Sequence, residues 1–117
     1  MKSSKIIVWN YLQDYKKNKK NILKIVDKVF QSGQLILSKE VENFENNFAN
    51  YTNTKFAVGV NSGTDALQIA LMAIGVKQND EVITVSNTAV PTVCAIVSCG
   101  AKPIYVDVNE DDYLIDV

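Results

Sequence analysis

Residues 56–108 read FAVGVNSGTDALQIALMAIGVKQNDEVITVSNTAVPTVCAIVSCGAKPIYVDV, and this stretch decides the fold. Short apolar runs alternate in it with longer segments of helical periodicity, and glycine or proline stands near most of the boundaries. Strands are predicted at Phe56–Val60, Glu81–Val85 and Lys102–Val108, with helices at Thr64–Ala73 and Pro91–Ser98 between them. This order of elements is typical of an α/β fold with a parallel sheet.

The residues before this stretch are mainly helical in pattern. Ile6–Trp9 is a short apolar run, and a helix with apolar residues at three- and four-residue intervals then ends at Ser32-Gly33. Gln34–Leu37 looks extended, and a second helix is predicted to begin after Ser38 as its N-cap. We therefore predict two parts: residues 1–55, an N-terminal arm with helices, and residues 56–117, the first βαβαβ part of a larger domain.

Composition and charge exclude several classes of protein. The chain is 47% apolar and 21% charged, and its 12 basic and 13 acidic side chains give a net charge of -1. That balance gives no general attraction to nucleic acid or to an anionic membrane, so neither is an expected partner. No apolar stretch approaches membrane-spanning length, and the cytoplasm is the expected location.

Histidine is absent and there are two cysteines, Cys94 and Cys99. A cysteine–histidine metal site is therefore not expected, and a Ser-His or Cys-His nucleophile pair cannot form within the chain. Both thiols lie in an apolar run and are predicted to be buried.

The segment Asn61–Leu67, NSGTDAL, joins a predicted strand to a predicted helix. Gly63 allows a sharp turn and the close approach of an anion, because it has no Cβ. The free N–H groups of Thr64 and Asp65, the helix dipole and the Thr64 hydroxyl would together favour a phosphate. The same residues also fit a plain capped helix, which this segment taken alone favours.

Five short motifs follow one another along the chain in a fixed order. They are SG-x-x-I at Ser32–Ile36, V-x-x-F-E at Val41–Glu45, SGTDAL at 62–67, D-E-V-I at Asp80–Ile83, and G-A-x-P-x-x-V-D at Gly100–Asp107. This ordered set resembles the opening of the DegT/DnrJ/StrS aminotransferases, and the resemblance covers nearly the whole chain.

The resemblance implies a fold, a cofactor and a reaction. The fold is the start of the large domain of the pyridoxal-phosphate (PLP) transferase fold type I, a three-layer αβα arrangement preceded by N-terminal helices. The complete enzyme is expected to be a homodimer with its sites at the subunit interface. It would transfer an amino group, from glutamate as the expected donor, to a nucleotide-linked keto-sugar for polysaccharide or amino-sugar biosynthesis.

The resemblance also implies five cofactor-binding residues. Gly63, Thr64 and Asp65 correspond to the turn that binds the PLP phosphate. The segment 85–92 supplies a side chain against the cofactor ring, and Asn87 and Ala89 stand where family members carry histidine or an aromatic residue.

No catalytic residue is expected in this chain. The family's Schiff-base lysine and the acidic partner of the pyridinium nitrogen lie downstream of the matched segment, so the chain is expected to be a truncated enzyme and inactive alone. The alternative is a non-catalytic α/β domain that binds an anion or acts by association. A dinucleotide-binding domain is disfavoured because its fingerprint requires glycine at position 61.

Overall fold

The computed structural model describes residues 10–116, and Ile6–Trp9 lies outside them. The described residues fall into two compact units, which meet in the chain between Gly59 and Val60. Their elements are α1 (Tyr11–Ser32), α2 (Lys39–Thr52), α3 (Gly63–Ala73), β1 (Glu81–Val85), α4 (Val90–Ser98) and β2 (Lys102–Val106).

The two helices of the first unit end at left-handed residues. Gly33, at φ 67°, follows α1 and donates its N–H to Phe30 O, so the predicted stop is confirmed. Ser38 precedes α2 in an extended conformation, although its side chain makes no capping hydrogen bond. Lys28 of α1 and Glu40 of α2 form an exposed ion pair at 2.7 Å.

The connection between α1 and α2 differs from its prediction. Gln34–Leu37 belongs to no strand, and Leu37 is not extended, because its backbone is left-handed at φ 46°. Its residues are exposed and pair with no strand within residues 10–116, so strand pairing in the described part of the chain does not hold them extended.

The second unit contains a parallel strand pair joined by a helix. β1 and β2 pair with Glu81 opposite Lys102 and Val85 opposite Val106, and α4 makes the crossover between them and packs against β2. The predicted βαβ unit is therefore confirmed for these elements. Parallel strands require such a crossover, because a hairpin would reverse the chain direction.

Two strand predictions are wrong in part. Phe56–Val60 forms no ladder with any of residues 10–116, and Val58 is 77% exposed. β2 ends at Val106, beyond which Val108 makes an isolated antiparallel bridge to Ile115. Apolar β-branched sequence gives a segment the capacity to be a strand, but a ladder also needs a neighbour.

The buried interior of the described residues is small. Ala49 is buried in the first unit, and Thr84, Ala95, Ile96 and Ala101 are buried in the second. α4 is mostly apolar, but it buries only the face that carries Ala95 and Ile96. Cys94 lies outside that face and is exposed, so the prediction that it is buried is wrong. Cys99 is half-buried. None of the helices in the described part of the chain has the length and apolarity needed to cross a bilayer.

Candidate anion-binding site

Ser62 caps the beginning of α3. Its backbone is extended, and its Oγ accepts the Asp65 N–H at 3.1 Å and donates to Asp65 Oδ2 at 2.8 Å. The helix therefore begins at Gly63, one residue before the predicted start. Serine followed three residues later by an acidic residue is a capping pattern, so the sequence contained the signal for this role of Ser62.

Two N–H groups remain free at this helix start. Within the described residues, the N–H groups of Gly63 and Thr64 have no hydrogen-bond partner, as is usual for the first turn of a helix. Thr64 is half-buried, and its hydroxyl belongs to the same turn. These three donors, together with the positive end of the helix dipole, suit a phosphate or carboxylate.

The glycine at position 63 is not required by the backbone. Gly63 is helical, a conformation that any residue adopts, and a Cβ built on it would meet no heavy atom within 4 Å. The surroundings of position 63 are therefore open, which gives an anion room to approach the helix start.

Asp65 has a capping role in this structure. The N–H that the sequence offers to a phosphate is donated to Ser62 Oγ instead, and the carboxylate is held by the serine hydroxyl. A carboxylate at a helix start interacts favourably with the dipole. The arrangement fits a phosphate held by Gly63 and Thr64, with Asp65 supporting the turn.

Asn87 and Ala89 lie in the connection between β1 and α4. Both are exposed, and Ala89 is the N-cap of α4 without a side-chain cap. The hydroxyls of Thr88 and Thr92 are 2.9 Å apart and tie this connection to the first turn of the helix. The segment 86–89 is therefore exposed to solvent at the carboxyl end of β1, and one hydrogen bond joins it to α4.

The two helix starts lie towards the same edge of the second unit. α3 and α4 pack against each other, and the end of α4 is bonded to the loop after α3, where Asn79 N–H donates to Gly100 O at 2.9 Å. Since the two helices end together, both begin towards the opposite edge, at which β1 also ends. Ligands of open α/β sheets bind outside the carboxyl ends of the strands.

Comparison with known proteins gives one consistent family. The family model described as DegT/DnrJ/EryC1/StrS aminotransferase family matches residues 16–117. The dTDP-3-amino-3,4,6-trideoxy-alpha-D-glucose transaminase of Micromonospora megalomicea subsp. nigra is 52% identical over 109 residues, which are 93% of this chain and 29% of that protein.

Solved structures give the same result. Streptomyces venezuelae DesV matches with a TM-score of 0.91 at 36% identity, over 97% of this chain and 31% of its own. NtdA of Bacillus subtilis, solved with bound cofactor PMP, the amine form of PLP, matches with a TM-score of 0.85 at 31% identity, over 99% of this chain and 28% of its own. The chain thus spans less than a third of the length of these proteins.

Proposed function

The chain belongs to the DegT/DnrJ/EryC1/StrS aminotransferase family, and on that premise we propose that it supplies the cofactor-phosphate turn of a PLP-dependent sugar aminotransferase. The expected fold class, the start of the fold-type I large domain, is confirmed by the likeness to aminotransferases of that fold. PLP and its amine form PMP are the cofactors of this family and its solved neighbours.

The proposed reaction moves an amino group from glutamate to a keto group of a nucleotide-linked sugar. Support comes from relatives whose names specify dTDP-linked amino-sugars, among them the Micromonospora protein. Dependence on PLP supports transamination, because the cofactor acts as an electron sink that the protein must bind and orient. A dTDP-linked keto-sugar is the first substrate to test.

Gly63 and Thr64 hold the phosphate in this proposal. Their N–H groups donate to it, the Thr64 hydroxyl adds a third hydrogen bond, and the dipole of α3 adds a favourable charge interaction. Asp65 keeps the turn in shape through its reciprocal contacts with Ser62. This assignment of the phosphate to Gly63 and Thr64 rests on one observation. Their N–H groups have no partner within the described residues, and the surroundings of Gly63 are open.

Asn87 and Ala89 are proposed to lie beside the cofactor ring. Their exposed position at the carboxyl end of β1 supports this placement. Asn87 offers a flat amide to the ring face in place of an aromatic side chain, and Ala89 leaves room for the ring. A homodimer with sites at the subunit interface also belongs to the proposal, and a cytoplasmic location remains a prediction of the sequence.

The test is activity in the framework of a complete relative. In a chimera, the 117-residue chain replaces the matching segment of the Micromonospora transaminase. The purified chimera is assayed for bound PLP and for glutamate-dependent amination of a dTDP-linked keto-sugar. Retained PLP and amination support the proposal. A folded chimera that binds inorganic phosphate but no PLP would instead support the non-catalytic anion-binding alternative.

A further inference from the structure

The Ser62 hydroxyl makes two hydrogen bonds to one residue of α3. It accepts the Asp65 N–H at 3.1 Å and donates its single hydrogen to Asp65 Oδ2 at 2.8 Å. The first bond is enough to cap the helix, so the second bond, between the two side chains, is additional to the cap. Because its hydrogen is used in that second bond, Ser62 has none to donate to a phosphate while the contact persists.

The Asp65 carboxylate departs from the usual capping arrangement. In the capping box, a glutamate or glutamine at the third helical position bonds the backbone N–H of the cap residue. Asp65 is the third residue of α3, but its carboxylate accepts from the Ser62 hydroxyl instead. Within residues 10–116, neither of its oxygens accepts the N–H of Gly63 or Thr64, so the carboxylate and the free donors coexist in one helical turn.

A carboxylate in this turn is a potential competitor of a phosphate. Both anions are attracted by the free N–H groups and by the positive end of the helix dipole. The two anions also repel each other, and Asp65 is half-buried, where solvent ions screen a charge less than at an open surface. A carboxylate released from Ser62 would therefore lower the affinity of the turn for a phosphate.

We propose that Ser62 is a positioning residue for phosphate binding: its hydroxyl holds the Asp65 carboxylate and thereby keeps the N–H groups of Gly63 and Thr64 available. The inference rests on the proposed function of the turn at Gly63 and Thr64. Ser62 does not touch the cofactor, and it acts only through Asp65.

A cycle of variants separates this role from ordinary helix capping. Ser62→Ala, Asp65→Asn, the two together, and Ser62→Thr are introduced into the chimera, and the affinities of the apo proteins for PLP and for pyridoxal are measured by fluorescence titration. Ser38→Ala is the control, because Ser38 is also the N-cap of a helix but its side chain makes no capping hydrogen bond. Thermal melting reports separately on overall stability.

Ser62→Ala is expected to weaken PLP binding about tenfold, the order of magnitude of one charge interaction near a protein surface, and to leave pyridoxal binding unchanged. The double variant is expected to recover to within about threefold of the unsubstituted chimera, because asparagine carries no charge that competes with the phosphate. Ser62→Thr keeps the hydroxyl and should bind PLP as the unsubstituted chimera does, as should Ser38→Ala.

The double variant gives the decisive result. If it binds PLP as weakly as Ser62→Ala or more weakly, Ser62 only caps the helix and the positioning role is overturned. Unchanged PLP affinity in Ser62→Ala, or an equal loss for PLP and pyridoxal, would overturn it as well. An unsubstituted chimera that fails to prefer PLP over pyridoxal would overturn the proposed phosphate turn, and this inference with it.

Discussion

At the scale of single residues, the turn at 62–65 has two roles, the capping of α3 and the supply of N–H donors to a ligand. Different residues perform the two roles, although the sequence alone does not distinguish them. Ser62 and Asp65 are hydrogen-bonded to each other. The N–H donors at this helix start that have no partner within residues 10–116 belong to Gly63 and Thr64. A serine, a glycine, a threonine and an aspartate before an apolar helix would serve a plain cap equally well. The hydrogen bonds decide which residue supports the turn and which ones remain available to a ligand.

The first prediction concerns Thr64. Thr64→Ala removes the hydroxyl that is proposed to bond to the cofactor phosphate, and a hydrogen bond to such a charged acceptor is worth about 1.5–3 kcal/mol. PLP affinity of the Micromonospora chimera should therefore fall about tenfold to a hundredfold, at 1.36 kcal/mol per factor of ten. The measurement is equilibrium titration with PLP.

Two neighbours give the matched comparison for Thr64. Gly63→Val should bind PLP more weakly still, because its side chain would occupy the open space before the N–H groups. Asp65→Asn should cost little, because an amide oxygen can still accept from Ser62. If Asp65→Asn abolished binding while Thr64→Ala bound normally, the roles assigned at this turn would be reversed.

The second prediction concerns Leu37, in the connection between α1 and α2. Leu37 has φ 46° and is 90% exposed, so it carries left-handed strain without packing in return. Leu37→Gly should stabilise the Micromonospora chimera by about 0.5–1 kcal/mol, measured as a higher urea midpoint than that of the unsubstituted chimera.

Ile36→Gly is the control for that substitution. Ile36 is 86% exposed and has no positive φ, so glycine there adds backbone entropy to the unfolded chain without relieving strain. It should be neutral or destabilising. A Leu37→Gly chimera no more stable than the Ile36→Gly chimera would show that residue 37 is not strained in solution.

At the scale of elements, the sequence predicts what local pattern determines. Glu81–Val85 and the helices on either side of it match their predictions within a residue, because helical periodicity and Pro91 act locally. Phe56–Val60 has an equally strong apolar pattern and forms no ladder within residues 10–116, because pairing depends on a neighbour distant in sequence.

The candidate site likewise contains residues that local sequence identifies and contacts that it does not identify. Gly63 and Thr64 were identifiable from a strand-to-helix junction and from resemblance to the family. The bond from the Ser62 hydroxyl to the Asp65 carboxylate was not identifiable, because the capping pattern predicts that a side chain at the third helical position bonds a backbone N–H. The exposure of Cys94 was also missed, since an apolar helix gives no indication of which face it buries.

At the scale of the whole molecule, large apolar side chains are exposed in both units. On α1 alone, Ile25 is 59% and Phe30 67% exposed, and Leu114 and Ile115 are exposed near the other end. Exposed apolar surface of this extent marks an interaction surface or causes association. The 117-residue chain is therefore expected to self-associate, as measured by sedimentation velocity at several concentrations.

A pair of charge variants tests the contribution of α1 to association. Ile25→Lys with Phe30→Lys should shift the chain towards smaller species, whereas Lys20→Ala, on the polar face of the same helix, should not. A wild-type chain that sediments as a strict monomer and melts in one sharp transition would contradict this prediction.

A crystal structure of the chimera with PLP would show whether the start of α3 holds the cofactor phosphate. We expect phosphate oxygens at about 2.7–3.1 Å from the N–H nitrogens of Gly63 and Thr64 and from Thr64 Oγ1, with Ser62 still bonded to Asp65. A phosphate bound away from this turn, with Gly63 and Thr64 facing solvent, would show that the start of α3 is not the phosphate site.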